Sequence, residues 1–127
     1  MPITHFTDFY LTPLLNKITA EKKGFLLGDF NIDLLEFNKN EVGRYIDTLT
    51  SLNFFSTISL PTRITDTTTT VIDNIFVSPH ENTYESGNLL TGISDHLSQF
   101  IISVGLNNNI PCPVSYTHLT LPTILLV

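Results

Sequence analysis

The chain has little cysteine, little positive charge and no long apolar run, and each shortage excludes something. A single cysteine, Cys112, in 127 residues leaves no internal disulfide and no cysteine-based zinc site, and it suits a reducing compartment. Six lysines and arginines stand against twelve acidic residues, a formal net charge of −6. So few cations neutralise few phosphates, which argues against a nucleic-acid binder that relies on its own charge. A nuclease escapes that exclusion. Its metal ligands are themselves acidic, and the positive charge then comes from the metal or from another part of the protein. No apolar stretch approaches the roughly 20 residues that span a bilayer. Met1-Pro2-Ile3-Thr4-His5 also lacks the basic-then-apolar order of a signal peptide, so no membrane partner is expected. There is no internal repeat.

Apolar residues make up 42% of the chain and charged residues 14%, which fits a globular chain with a core and at most one domain. Phe6, Phe9, Tyr10, Leu14, Leu15 and Ile18 recur at roughly helical spacing across residues 6–19. Pro13 is expected to kink that helix, or to begin a new one capped by Thr12. Residues 24–29 contain Phe25-Leu26-Leu27 and predict a buried strand. Asn40 reads as an N-cap with Glu41 in the first turn, and Val42, Tyr45, Ile46, Leu49 and Leu52 follow helical spacing. Residues 54–60, 71–78 and 97–104 read as strands, with a short one at Leu89-Leu90; residues 80–88 and 92–96 read as loops. Helices interspersed with strands indicate an α/β layered fold. Residues 1–106 are expected to form the domain and 107–127 an irregular tail. Within the tail, residues 114–123 resemble the translation of a sequencing-library adaptor and are expected to be an artefact of assembly, outside the fold.

Three polar clusters fall at predicted strand ends: Asp29 with Asn31 in Gly28-Asp29-Phe30-Asn31, Asp73 with Asn74, and Ser94-Asp95-His96. In an extended chain Asp29 and Asn31, two apart, point to one face. A layered fold can gather strand ends at one rim, and together these clusters offer three carboxylates, a histidine and amides. Phosphodiester hydrolysis needs such a set: carboxylate oxygens for a divalent ion, a carboxylate to activate water, and a histidine, oriented by another carboxylate, to meet the charge on the phosphate. Taken singly, each cluster also has a plainer explanation. Asp29 and Asn31 suit a turn that ends a strand, and Asp95-His96 suits a loop cap. Asp73, within an apolar strand, is costly without a partner, which leaves structure and function evenly matched there. Arg63 suits either a phosphate contact or a turn. His5, His80 and His118 are expected at the surface, Lys22-Lys23 in a solvated turn, and Asp33, Glu36 and Glu41 in solvent.

The order of the motifs carries more than any one of them. Leu26-Leu27-Gly28-Asp29-Phe30-Asn31-Ile32-Asp33-Leu34-Leu35 is followed by Pro61-Thr62-Arg63-Ile64-Thr65, Ile72-Asp73-Asn74-Ile75-Phe76 and Ile93-Ser94-Asp95-His96. This series resembles the endonuclease/exonuclease/phosphatase superfamily. It looks most like the apurinic-endonuclease-like domain of jockey-type non-LTR retrotransposons, over residues 6–104.

The resemblance implies the C-terminal half of a four-layer α/β/β/α sandwich, with one mostly antiparallel or mixed sheet and flanking helices. It implies an Mg²⁺- or Mn²⁺-dependent endonuclease that nicks DNA in the nucleus, exposing a 3′ hydroxyl that primes reverse transcription. Asp29 would activate or position water and Asn31 would support it at the phosphate. Asp73 would orient His96 against the scissile phosphate, Asp95 would belong to the metal neighbourhood, and Arg63 would bind substrate. The family's first half supplies an Asn, a metal-binding Glu and a Tyr ahead of the Gly-Asp-Phe-Asn strand. Glu21 lies too close to that strand and Tyr10 in a helical segment, so neither matches. The expectation is therefore a fragment, inactive by itself, whose bared apolar sheet face favours self-association. A small-ester phosphatase or phosphodiesterase of the same superfamily, and a non-catalytic interaction module on the same fold, are the alternatives.

Overall fold

The computed structural model describes residues 1–17, 24–78 and 84–103, together with the backbone of 123–126. The expectations for Ile18, Glu21, Lys22-Lys23, His80, Cys112, His118 and residues 104–122 lie outside the described residues. The N-terminal amphipathic segment is helical but not uniform. It runs as α1 (Ile3–Phe6), a π-helical turn (Thr7–Leu11) and α2 (Thr12–Asn16). Pro13 has no N–H to return to the turn before it. The wider turn, in which the Thr12 N–H reaches the Thr7 carbonyl, takes up the mismatch. Thr12 therefore continues the helix instead of capping a new one, and its hydroxyl also donates to the Thr7 carbonyl at 2.8 Å.

Strand β1 (Gly24–Asp29) leads through a 3₁₀ turn (Leu34–Glu36) to helix α3 (Asn40–Ser51). Lys39, not Asn40, occupies the N-cap of α3, and no side chain caps it. The remaining strands are β2 (Phe55–Ser56), β3 (Arg63–Ile64), β4 (Thr69–Thr70), β5 (Asp73–Val77), β6 (Tyr84–Leu89), β7 (Ser98–Ser103) and β8 (Thr123–Leu126). Four of them form an antiparallel sheet in the order β2-β5-β1-β8, while β3 pairs with β4 and β6 with β7. The chain thus mixes helices with antiparallel sheet, and the strands divide among three sheets where one was expected.

The division has local causes. The strand expected over 54–60 stops after β2 because the Asn74 side chain takes over the next pairing. Its amide nitrogen donates to the Ile58 carbonyl at 3.0 Å, and its oxygen accepts from the Ile58 N–H at 3.3 Å. The loop expected over 80–88 is strand from Tyr84 onward. Its inward side is polar: Ser86 donates to the Thr57 carbonyl at 2.8 Å and Asn88 to the Pro61 carbonyl at 2.9 Å, and that polarity hid the strand from a hydrophobic pattern. The end of the segment expected to be irregular, 107–127, contributes β8, which pairs with the open backbone of β1 from Gly24 to Leu27.

Side-chain alternation gives the central sheet two different faces. Leu26 and its partner Phe76 join Leu11, Leu15, Val42, Tyr45 and Leu49 beneath the helices. Phe25 and Leu27, with their partners Val77 and Ile75, pack on the opposite face with Ile58 and with Ile101 of β7. A helical layer therefore covers one side of the sheet and the β6–β7 hairpin the other. Tyr45 is fully buried, its hydroxyl has no hydrogen-bond partner among the described residues, and burial pushes the phenol far above its ordinary pKa.

Candidate active site

The site forms where β1 ends and β5 begins. Asp29 and Asp73 are direct partners in the antiparallel register. Both sit an even number of residues from the apolar positions Leu27 and Ile75, so both project toward the hairpin face at its rim. The segment entering β7 delivers His96 to the same rim. Its Nδ1 lies 3.0 Å from an Asp73 carboxylate oxygen. An ionised carboxylate only accepts, so Nδ1 carries the hydrogen and Nε2 is left for other work. Asp29, Asp73 and His96 offer ligand atoms that all lie within 4.8 Å of one another. Asp73 is buried, His96 half-buried and Asp29 exposed. The cluster thus has a dry inner edge and a wet outer one. Two carboxylates and an imidazole at this spacing fit a divalent ion, and the same three groups can orient water and transfer a proton.

Phe30 anchors the turn after β1. Its ring meets Phe76 edge-on at 5.3 Å, and its N–H donates to the Ile72 carbonyl at 2.9 Å. Asn31 then takes a left-handed conformation (φ 53°), and its N–H donates to the Asp29 carboxylate at 2.9 Å. The chain is not extended past Asp29, so Asn31 does not share the Asp29 face by strand alternation. It caps the carboxylate through its backbone. Asn74, next to Asp73, works on the β2 side through Ser56 and Ile58 and not in the cluster.

Asp95 is held outside the three-residue cluster. Its carboxylate accepts from Arg63 Nε at 2.7 Å, and that hydrogen bond holds its pKa below the ordinary carboxylate value. Arg63 and His96 are cross-strand neighbours, and the Ile64 N–H donates to the Asp95 carbonyl at 3.0 Å. Arg63, Asp95 and His96 are therefore adjacent, but only His96 reaches Asp29 and Asp73.

Two residues outside the expected set build the site. Asp33, expected in solvent, is half-buried and clamps two segments. One of its oxygens accepts from the Leu35 N–H, capping the 3₁₀ turn, and from the Val71 N–H at 2.9 Å. Its place one residue before Leu34-Leu35-Glu36 is a capping signal that was legible in the sequence. Thr62 is fully buried, and its hydroxyl accepts from the backbone N–H groups of both Ile72 and Asp73 at 3.1 Å. It lies within the Pro61-Thr62-Arg63-Ile64-Thr65 motif, but no periodicity or charge singles it out there. No protein-family model, curated protein or solved structure matches the chain. No helix among the described residues is long and apolar enough to cross a membrane.

Proposed function

We propose that this chain belongs to a metal-dependent endonuclease that nicks DNA by hydrolysing a phosphodiester, as the order of its motifs suggests. One observation carries the reading: the ligand atoms of Asp29, Asp73 and His96 converge within 4.8 Å, although the three residues are far apart in the sequence. That convergence disfavours a purely non-catalytic module. Asp29 and the oxygen of Asp73 not bonded to His96 would hold Mg²⁺ or Mn²⁺. The ion would supply charge neutralisation and a more acidic water, which a chain of net charge −6 needs in order to work on DNA. Asp29 positions the attacking water, and Asp73 keeps His96 oriented so that Nε2 faces the phosphate. Arg63 and Asn31 contact phosphate oxygens, with Asp95 holding Arg63. Water adds to phosphorus and the bond to the 3′ oxygen breaks, leaving the 3′ hydroxyl that a reverse transcriptase extends. The helix–sheet–hairpin layering is compatible with half of a four-layer α/β/β/α sandwich.

The test has two parts. Mn²⁺ added to the 127-residue protein is expected to broaden the NMR signals of Asp29, Asp73 and His96 selectively, and Asp29→Asn with Asp73→Asn to abolish the effect. Broadening elsewhere, or none, would sink the metal site. In a plasmid-nicking assay with Mg²⁺ this chain alone is expected to be inactive, because the carboxylate that the family supplies from its first half has no match in residues 1–127. Nicking that disappears in His96→Ala would overturn that expectation.

A further inference from the structure

We propose that Thr62 is the positioning residue of this site, holding Asp73 and His96 in the register that lets them pair. This rests on the reading of Asp73 and His96 as working residues. Thr62 uses every polar atom it has. Its N–H donates to the Thr70 carbonyl at 2.9 Å, tying it to the strand ahead of Asp73. Its hydroxyl oxygen accepts from the N–H groups of Ile72 and Asp73, the residues at which β5 starts. Its carbonyl accepts from the Leu97 N–H at 2.7 Å, directly after His96. One fully buried side chain and its own peptide thus fasten the backbone on both sides of the 3.0 Å Asp73–His96 hydrogen bond.

The chemistry requires an oxygen at this point. Two backbone N–H groups converge on it in a site closed to water, and a buried donor without an acceptor is costly. Thr62→Val preserves the shape and removes the acceptor. The start of β5 must then shift to find other partners, carrying the Asp73 carboxylate away from Nδ1. Thr62→Ser keeps the oxygen and loses only a methyl group. Asp73 is also one of the two residues proposed to hold the metal, and loss of the contacts that support a metal-holding residue typically weakens metal binding about 10–100-fold.

The experiment reads which ring nitrogen of His96 carries the proton, by ¹⁵N imidazole shifts at a pH where the ring is neutral, and titrates Mn²⁺ in parallel. The wild-type and Thr62→Ser proteins are expected to show the Nδ1–H form and equal Mn²⁺ affinity. Thr62→Val is expected to lose the preference for Nδ1–H and to bind Mn²⁺ about 10–100-fold more weakly, as for other supporting contacts. If Thr62→Val does not fold, Thr62→Cys, which offers only a weak sulfur acceptor, is expected to show the same loss in part. An unchanged Nδ1–H signature in the folded Val or Cys variant would overturn the role of Thr62. A wild-type protein that binds no Mn²⁺ would instead defeat the metal-site reading, and the proton position would still judge Thr62.

Discussion

Arg63 and Asp95 show how the charges at the rim are apportioned. Both side chains are 42% exposed, so their ion pair is screened by solvent and contributes little to stability. Its effect is on protonation. The Asp95 carboxyl titrates below its ordinary value because Arg63 donates to it. A carboxyl depressed in the folded state adds stability at pH values above its unfolded pKa, and that stability is lost as pH falls through the folded value. Arg63→Gln is expected to move the Asp95 titration upward, toward an ordinary aspartate, as followed by the carboxyl ¹³C shift. An unmoved titration would show that the pair does not form in solution. Asp95 was a natural metal candidate in the sequence, where nothing shows that an arginine 32 positions away lies against it.

Among the elements, β5 does the most to organise the fold, and Asn74 is its hinge to β2. Its side chain accepts from Ser56, Ile58 and its neighbour Ile75, and donates to Ile58, so an amide replaces two rungs of backbone pairing. Asn74→Ala leaves the Ile58 N–H without its acceptor in a buried site, while the Ile58 carbonyl keeps only the Ser56 hydroxyl, which donates to it at 3.1 Å. It is expected to cost about 1–3 kcal/mol, the penalty for an unsatisfied buried polar group. Urea denaturation would measure this, and a loss below about 0.5 kcal/mol, within the range of ordinary surface changes, would show that water replaces the amide. The long periodic helix α3 and the apolar strands β1 and β5 were legible because burial imposes a regular spacing on them. The strand β6 and the ends of β2 were not, because side-chain hydrogen bonds, not hydrophobic alternation, decide where those strands run.

For the whole molecule, apolar side chains pack on both faces of β1 and β5, and among the described residues exposed apolar side chains occur in several places, Phe9, Phe37 and Leu60 among them. One group of them lies on the outer side of the hairpin and its loop, where Leu89 is 51% exposed, Ile102 58%, and Leu90 and Ile93 87% each. Exposed apolar surface of this kind promotes association. The protein is expected to self-associate with rising concentration in sedimentation velocity, and Ile102→Thr with Leu90→Ser to shift it toward monomer. A concentration-independent monomer would exclude that surface as sticky.

The sequence by itself determined the helices and inner strands, through the periods that burial demands. It also determined which polar residues sit at strand ends, because an apolar run must stop somewhere and the next residues show there. Only the tertiary structure decided which of those ends meet. The β1–β5 register sets Asp29 opposite Asp73, and the segment entering β7 brings His96 to them. Asp95 is diverted to Arg63, and a buried threonine oxygen holds the start of β5. These contacts join residues separated by many positions, and they are chosen by packing and by the need to satisfy buried hydrogen-bonding groups. No local spacing in the chain encodes that choice.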